Sequence, residues 1–408
     1  MTTDPRGMST VPAPLPGNIA ACAPAADAFL PAPLVGVLAE HDHRSLARPN
    51  IFEIDLGVVA RNTARVRTLV GPRTFFFATV KANAYGYGIV PGARTVLAAG
   101  ADALSLANLD DAALLRDAGV GGPILLYAGA MLDRAAVRAM EALDVIPSLW
   151  SEEAVDAYLA HATRRRRIAL KIEVGPERLG IAAERTVELV RRLREHPHAD
   201  VYLLHCHPTV VADPTHAALD WQYRRFESVL RSLEREGITV PLAAMASSRV
   251  MAMTGRAMIL SAVDPGASVF AADADGRTPF HALRTRLLQA RAITRTEYVE
   301  DSPIPLRPGL RVGVIPIGYS DGMARLHAGA VLIRGRRVPL LSPPSLEYTR
   351  IDLTDVPDAA LGDEVVIIGR QGAVAISAED VRQAQGASRV QDLALEVRAS
   401  VVRHYRAA

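Results

Sequence analysis

Several features of secreted, membrane-spanning and nucleic-acid-binding proteins are scarce in this sequence. It has only two cysteines, Cys22 and Cys206, too few for a disulfide framework, which favours a reducing compartment and a cytoplasmic protein. No apolar run reaches eighteen residues, so we expect no membrane-spanning helix. The formal net charge of +2 gives no electrostatic reason to expect nucleic acid or a membrane surface as a partner.

What the chain does have is apolar residues, which make up 50% of its 408 positions and are ample for a large core. Residues 1–45 are rich in Pro and Ala without clear periodicity, and they lack the basic start and long apolar segment of a signal peptide. We interpret them as a flexible N-terminal extension. The short basic run Arg164–Arg167 is interpreted as a solvated helix end, with a phosphate or acidic partner as the alternative.

Strand-like and helix-like patterns alternate from residue 51 to about residue 246. This spacing is typical of parallel βα units, and their number predicts a (β/α)8 TIM barrel over residues 46–283. The pattern then changes to short strand-like segments separated by Gly, Pro and Asp. We therefore predict a smaller, mainly β C-terminal domain over residues 284–408.

A lysine stands at the end of one predicted barrel strand. Apolar residues run from Phe75 to Val80, Lys81 follows, and the turn-permissive Asn83, Gly86 and Gly88 come next. Burial would lower the pKa of such an amine and make it nucleophilic, as in a Schiff-base lysine. The alternative is a lysine that ends the strand in solvent.

The motif around this lysine, VKANAYGYG, resembles the VKANAYGHG signature of the alanine racemase family. Further motifs resemble the same family in the same order, from about Asn50 to the C-terminus. The resemblance implies pyridoxal 5′-phosphate as cofactor, Lys81 as its Schiff-base lysine and Tyr85 as a cofactor-binding residue. It also implies an amino-acid substrate, a barrel followed by a β domain, and a homodimer with shared active sites. No metal site is expected.

Two further strand ends resemble family motifs. The segment from Leu170 to Gly180 is similar to LKVDTGMGRLG, which implies that Lys171 orients Arg178 and that Arg178 reaches the phenolic oxygen of the cofactor. A salt bridge at the barrel end is the alternative role for Lys171. His205 resembles the strand-end histidine that stacks on the pyridine ring, and a purely structural histidine is the alternative.

The phosphate-binding motifs are matched in part. Ser247 and Ser248 resemble the Asn-Ser of the family, where the serine binds phosphate, and hydroxyls ahead of a helix suit an anion. Asp264, Gly266 and Ala267 lie in a segment similar to VRPGI, which implies that the last two face the phosphate.

Asp264 itself departs from the family, which has an arginine facing the pyridine nitrogen at this position. A carboxylate would keep that nitrogen protonated and deepen the electron sink. This change suits aldol, decarboxylation or transamination chemistry at least as well as racemization.

The catalytic tyrosine of the racemases is also missing from its expected place. Racemization needs an acid and a base on opposite faces of Cα. Lys81 supplies one face, and Tyr298 is the nearest candidate for the other.

The segment from Ile317 to Gly322 resembles IGYADG, whose tyrosine, here Tyr319, lines the substrate entrance from the partner chain. Leu346 and Glu347 stand where the family has Met-Asp in the substrate pocket, and Ala399 stands where it has a phosphate-binding tyrosine. The substrate is therefore expected to differ from alanine. Turn and sheet-edge chemistry is the alternative role for the segment from Ile317 to Gly322.

Three functions follow from these observations. The first is a pyridoxal-phosphate-dependent amino-acid racemase or epimerase with Lys81 as base. The second is an aldolase, hydroxymethyltransferase or decarboxylase on the same scaffold, favoured by Asp264 and by the missing tyrosine. The third is a non-catalytic protein that binds pyridoxal phosphate.

Overall fold

The computed structural model describes residues 48–129, 131–210, 215–294, 306 and 308–406. The predicted extension over residues 1–45, Cys22 and Tyr298 lie outside these residues. None of the described helices is long and apolar enough to cross a bilayer.

Eight parallel strands close into a barrel, which confirms the predicted fold class. The first strand of the chain, β1 (Ile51–Asp55), belongs to a different sheet. The next nine strands of the chain are β2 to β10. Eight of them form the barrel, and the two-residue β7 pairs only with the end of β6. In chain order these are β2 (Phe75–Thr79), β3 (Ala103–Leu106), β4 (Ile124–Leu126), β5 (Val145–Leu149), β6 (Arg166–Glu173), β7 (Ile181–Ala182), β8 (Ala199–His205), β9 (Leu242–Ala246) and β10 (Ala262–Val263).

Helices connect these strands and cover the outside of the barrel. Several begin at a side chain that accepts hydrogen bonds from the first free backbone amides, as Asp55 and Ser151 do. Their apolar residues recur every three or four positions and face the barrel, as in Val59, Val66 and Val70. The helices are α1 (Leu56–Val70), α2 (Ile89–Ala98), α3 (Leu109–Asp117), α4 (Arg134–Ala142), α5 (Glu152–Leu159), α6 (Ala183–Arg194), α7 (Ala217–Arg235) and α8 (Ser248–Thr254).

The C-terminal part is mainly β, as predicted. One sheet has the order β15-β14-β17-β11-β1-β19, with β18 paired to β17, and a second has the order β12-β13-β16. The elements are β11 (Phe280–Arg286), β12 (Gln289–Ala292), β13 (Arg311–Ile315), β14 (Ala330–Ile333), β15 (Arg336–Pro339), β16 (Thr349–Asp352), β17 (Glu364–Gln371), β18 (Val374–Ile376), α9 (Ala378–Gln385), α10 (Val390–Glu396) and β19 (Val402–Arg406).

Strand β1 ties the two parts of the fold together. It pairs antiparallel with β11 and parallel with β19, although it precedes the barrel in the chain. The predicted domain boundaries stay a prediction, but this pairing shows that residues ahead of the barrel contribute to the C-terminal sheet. The chain passes directly from β1 into α1, so the sheet is held against the barrel.

The interior of the barrel is layered. A buried apolar layer contains residues from every barrel strand: Phe77, Ala103, Leu125, Ile146, Ala169, Leu203, Leu242, Ala244 and Ala262. Side chains alternate across a strand, so the residue two positions further on points into the barrel again. In seven of the eight strands that residue is polar: Thr79, Ser105, Tyr127, Ser148, Lys171, His205 and Asp264. A polar layer therefore closes the C-terminal end of the barrel.

Candidate active site

A cleft of about 480 Å³ opens above this polar layer. It lies at the C-terminal ends of the strands, where barrel enzymes have their active sites. The cleft brings together ten residues that the sequence predicted: Lys81, Tyr85, Lys171, Arg178, His205, Ser247, Ser248, Asp264, Gly266 and Ala267.

Lys81 lines the cleft directly after β2. Its Nζ lies 6.0 Å from the centroid of the Tyr127 ring. The chain then makes a left-handed turn, with φ near +55° at Ala82, Asn83, Ala84 and Tyr85. Only Asn among these residue types tolerates that conformation well, and each of the others costs about 1–2 kcal/mol. Such strain at a predicted nucleophile is typical of a functional site.

Close packing against the C-terminal part holds this turn. A Cβ on Gly86 would lie 2.3 Å from the carbonyl oxygen of Ala394 in α10, so only glycine fits there. The Arg403 guanidinium donates to the carbonyl of Gly86 at 3.1 Å. The loop that carries Lys81 is therefore positioned from both its own strand and the C-terminal domain.

Asp264 lies at the deep end of the cleft and is 8% exposed. Its Oδ2 accepts a hydrogen bond of 2.9 Å from the Tyr127 hydroxyl, whereas its buried Oδ1 has no partner among the described residues. Burial raises the pKa of the Asp264 carboxyl to about 7, against the opposing effects of the Tyr127 hydrogen bond and the charge of Lys81. A buried carboxylate oxygen without a partner is costly unless a ligand completes it.

His205 is buried in the same layer. Its Nε2 lies 2.7 Å from Oγ of Ser148, and its ring centroid lies 6.1 Å from that of Tyr127. Burial and then the charge of Lys171 lower the pKa of the His205 imidazole to about 3. The imidazole is therefore neutral and can lie against another flat ring.

The other end of the cleft is formed by hydroxyl groups and by a backbone turn at Gly266 that packs tightly against Tyr85. Ser248 Oγ accepts from the amides of Gly266 and Ser268 at 3.1 and 3.0 Å. A Cβ on Gly266 would lie 2.3 Å from the Tyr85 hydroxyl, so this position admits only glycine. Burial raises the pKa of the Tyr85 hydroxyl to about 12, which keeps it a hydrogen-bond donor.

The lining is strongly cationic. Five of its side chains are lysine or arginine, and Asp264 is the only carboxylate among the lining residues that the structure describes: Lys81, Lys171, Arg178, Arg249 and Arg389. Desolvation, followed by the charge of Arg178, lowers the pKa of the Lys171 amine. This set suits an anionic ligand with a phosphate group.

Three predicted residues lie elsewhere. Tyr319 and Leu346 are each 52% exposed and belong to the C-terminal domain, outside the cleft lining. Glu347 also lies outside the cleft and forms an ion pair of 2.6 Å with Arg48.

Sequence reasoning missed several side chains of the cleft, among them Tyr127, Arg249 and Arg389, and gave His207 no role. Tyr127 follows the three-residue strand β4, and a step of two residues from buried Leu125 would have found it. Arg389 precedes α10, and no local pattern connects it with the barrel. His207 follows the predicted His205, and the structure places it in the cleft.

Comparison with known proteins assigns a family to this geometry. Residues 54–274 match the family described as alanine racemase, N-terminal domain, and residues 282–405 match alanine racemase, C-terminal domain. The chain is similar to the alanine racemase of Sorangium cellulosum, at 31% identity over 82% of this chain and 93% of that protein. It is also similar to the alanine racemase of Methanococcus maripaludis, at 29% identity over 82% and 93%.

Solved structures agree. Alanine racemase from the D-cycloserine producer Streptomyces lavendulae has a TM-score of 0.74 at 26% identity, covering 88% of this chain and 98% of that one. The Bacillus anthracis alanine racemase, solved with bound L-Ala-P, has a TM-score of 0.76 at 25% identity, covering 88% and 95%.

Proposed function

The chain belongs to the alanine racemase family, and from this premise we propose that it is a pyridoxal-phosphate-dependent amino-acid racemase with Lys81 as its Schiff-base lysine. The observation that carries the proposal is the position of Lys81, in one cleft with a buried carboxylate and a cluster of hydroxyls and cations. Bound pyridoxal phosphate supplies an aldehyde for the amine and an electron-withdrawing ring for the substrate.

The residues present fit this cofactor. The unpartnered Oδ1 of Asp264 can accept from a protonated ring nitrogen, and neutral His205 can lie against the ring. Ser247, Tyr85 and the turn at Gly266 and Ala267 provide a phosphate end, to which Arg389 adds a positive charge. Arg178, beside Lys171, is assigned to the phenolic oxygen.

Lys81 acts as the base on one face of the substrate Cα, where its amine accepts or returns the proton. We propose Tyr298 for the opposite face. His207 is the alternative, because it lines the cleft and can accept a proton. Desolvation, followed by the charge of Arg178, lowers the pKa of its imidazole to about 4, so the ring is neutral near pH 7.

We propose that a second copy of the chain completes the cleft. Tyr319, Leu346 and Glu347 do not line the cleft of their own chain, yet they lie together at an exposed part of the C-terminal domain. In a homodimer with shared active sites they would contact the substrate bound by the partner. The exchange of Met-Asp for Leu346 and Glu347 favours a substrate other than alanine.

Asp264 supports a second candidate, an aldolase, hydroxymethyltransferase or decarboxylase on the same scaffold. A carboxylate at the ring nitrogen stabilises negative charge at Cα more strongly than an arginine does, and so permits bond cleavages other than proton removal. A non-catalytic protein that binds the cofactor would show neither activity.

Incubation of single amino acids with the loaded protein in deuterated water separates these functions. Solvent deuterium at Cα with inversion supports racemization. Deuterium with retention, or release of formaldehyde, glycine or carbon dioxide, supports the second candidate, and no exchange with any amino acid supports the third. Tyr298→Phe and His207→Gln variants identify the group that transfers the proton on the opposite face. The variant that lacks this group should lose inversion but keep the hydrogen exchange that Lys81 catalyses.

A further inference from the structure

Tyr127 is the one hydroxyl that contacts the Asp264 carboxylate among the described residues, and the proposed function gives it no role. We propose that Tyr127 is a positioning residue that occupies Oδ2 of Asp264, leaving Oδ1 as the acceptor for the protonated ring nitrogen of pyridoxal phosphate. This inference rests on the proposed cofactor but assigns a role to Tyr127, which no family motif identified.

The hydrogen bonds around Tyr127 have a direction. Tyr127 donates to Oδ2 of Asp264 at 2.9 Å, and Thr79 donates to the backbone carbonyl of Asp264, also at 2.9 Å. Each hydroxyl has one proton, so these two are used. Ser105, 2.9 Å from both the Tyr127 and Thr79 oxygens, is left to donate to one of them. Among these three hydroxyls only Tyr127 donates to the carboxylate itself.

Packing determines where the Tyr127 hydroxyl can lie. The ring packs against the buried apolar layer inside the barrel, with Lys81 Nζ 6.0 Å from its centroid and the centroid of the His205 ring 6.1 Å away. Burial raises the pKa of the hydroxyl well above its usual range, so it remains a donor at any working pH. A rigid donor that is always protonated can select one of the two carboxylate oxygens.

The consequence is that the proton shared by Asp264 and the ring nitrogen is held preferentially on the nitrogen. A hydrogen bond to the ionised carboxylate weakens its own affinity for the proton, which therefore stays on the ring nitrogen. Without the Tyr127 hydroxyl, Asp264 becomes a stronger base and its carboxyl can turn. The ring nitrogen then loses protonation, even though Asp264 is still present.

The test is ¹⁵N NMR of the full-length protein loaded with ring-¹⁵N-labelled pyridoxal phosphate, titrated with pH. We expect a protonated ring nitrogen in the wild type and a neutral one in Asp264→Asn. In Tyr127→Phe we expect the apparent pKa of the nitrogen to fall by about one unit, a tenfold loss of proton affinity. Tyr158→Phe, another buried tyrosine on α5 outside the barrel, is the matched control and should titrate like the wild type.

A Tyr127→Phe protein that is loaded, folded and indistinguishable from the wild type in this titration would overturn the proposal. If that variant does not fold, Thr79→Val is compared with the double variant Thr79→Val/Ser105→Ala, because without the Thr79 hydroxyl Ser105 has only Tyr127 of these two oxygens to donate to. The loss of Ser105 should then lower the same pKa by a smaller amount, and no change there overturns the proposal as well. A wild type that binds the cofactor with a neutral ring refutes this inference alone. A wild type that takes up no cofactor refutes the proposed function too.

Discussion

The two ends of the barrel each have a cleft lined with cations, but the protein itself binds more of these cations at the N-terminal end than at the C-terminal end. At the N-terminal end a cleft of about 700 Å³ contains Arg116, Arg165, Arg166 and Arg167. At the C-terminal end, four of the five lining cations have no carboxylate within ion-pair distance in the described part of the chain: Lys81, Lys171, Arg178 and Arg249.

Three of the four N-terminal cations, Arg116, Arg165 and Arg166, bind carboxylates or carbonyls of the protein, and Arg167 lies over the Tyr202 ring. Arg166 pairs with Asp144 and donates to the carbonyl of Glu141, and Arg116 donates to backbone carbonyls such as that of Leu143. Our prediction that this basic run is a solvated helix end was wrong, because Arg166 begins strand β6. Under the proposed function, the comparison teaches that positive charge without a carboxylate partner, rather than the number of arginines, distinguishes the end that would bind an anion.

The largest expected effect is the loss of Lys81. Lys81→Ala should remove the visible absorbance of lysine-bound pyridoxal phosphate and lower turnover by about 10³-fold or more, since the proposed function makes the amine both the attachment point and the base. Spectroscopy and a turnover assay on the same preparation check this. Arg165→Ala, at the opposite end, is the control and should change neither; an unchanged spectrum in Lys81→Ala would remove the distinction between the two ends.

Asp264 provides a test through the pH dependence of stability. Its pKa is about 7 in the folded protein and 3.8 as the ordinary value, so the contribution of Asp264 to the stability of the folded apoprotein becomes more favourable as pH falls from above 7 towards 4. Asp264→Asn removes the cost of a buried ionised carboxyl. We expect its apoprotein to be more stable than the wild type at pH 8 by on the order of 2–4 kcal/mol, and by much less at pH 5.

Urea unfolding of cofactor-free protein at both pH values measures this difference. Other titrating groups cancel because they are common to both proteins. Asp144→Asn is the matched control at the N-terminal end, where the carboxylate is 72% exposed and paired with Arg166, and it should not gain stability at pH 8. If the Asp264→Asn apoprotein exceeds the wild type in free energy of unfolding by the same amount at pH 5 and pH 8, Asp264 is not a buried group that titrates in this range.

Arg389 tests whether the C-terminal cleft binds the phosphate of the proposed cofactor. Arg389→Gln should raise the dissociation constant of pyridoxal phosphate by about 10- to 100-fold, because a charged hydrogen bond contributes roughly 1.5–3 kcal/mol. Turnover at saturating cofactor should change little. Arg167→Gln is the control: its guanidinium lies 4.4 Å from the centroid of the Tyr202 ring at the other end, and cofactor affinity should be unaffected.

The smallest effect concerns backbone strain. The C-terminal end holds four consecutive non-glycine residues with positive φ, whereas the N-terminal cleft holds one, Asp144. Ala82→Gly should stabilise the protein by about 0.5–1 kcal/mol in urea unfolding. Ala64→Gly, at an exposed position inside α1, should destabilise it by about 1 kcal/mol. If both variants change the free energy of unfolding in the same direction, the backbone at Ala82 is not strained.

Much of the fold followed from pattern alone. The alternation of strands and helices predicted the barrel, and segments such as Ala103–Leu106 and Leu242–Ala246 coincide with observed strands. The eighth barrel strand, Ala262–Val263, was missed because two residues carry no periodicity. The pairing of β1 with the C-terminal sheet was missed because its partners lie more than two hundred residues away in the sequence.

The site divides in the same way. Local motifs brought ten residues to one cleft, because each motif is a strand end together with the turn that follows it. The presence of Tyr127 and Arg389 in the cleft became evident only from the tertiary structure. Their neighbours in the chain are ordinary apolar or polar residues, and only closure of the barrel and the return of α10 bring them to the cleft.

The sequence by itself determined the strands, the position of a lysine at a strand end and the presence of a carboxylate where the family has an arginine. These properties depend on neighbouring residues and on the two-residue alternation of a strand. Only the tertiary structure decided the state of that carboxylate. Asp264 and Tyr127 are 137 positions apart, and burial by separate strands, which no local pattern encodes, sets both the pKa of Asp264 and the oxygen that is left unpaired.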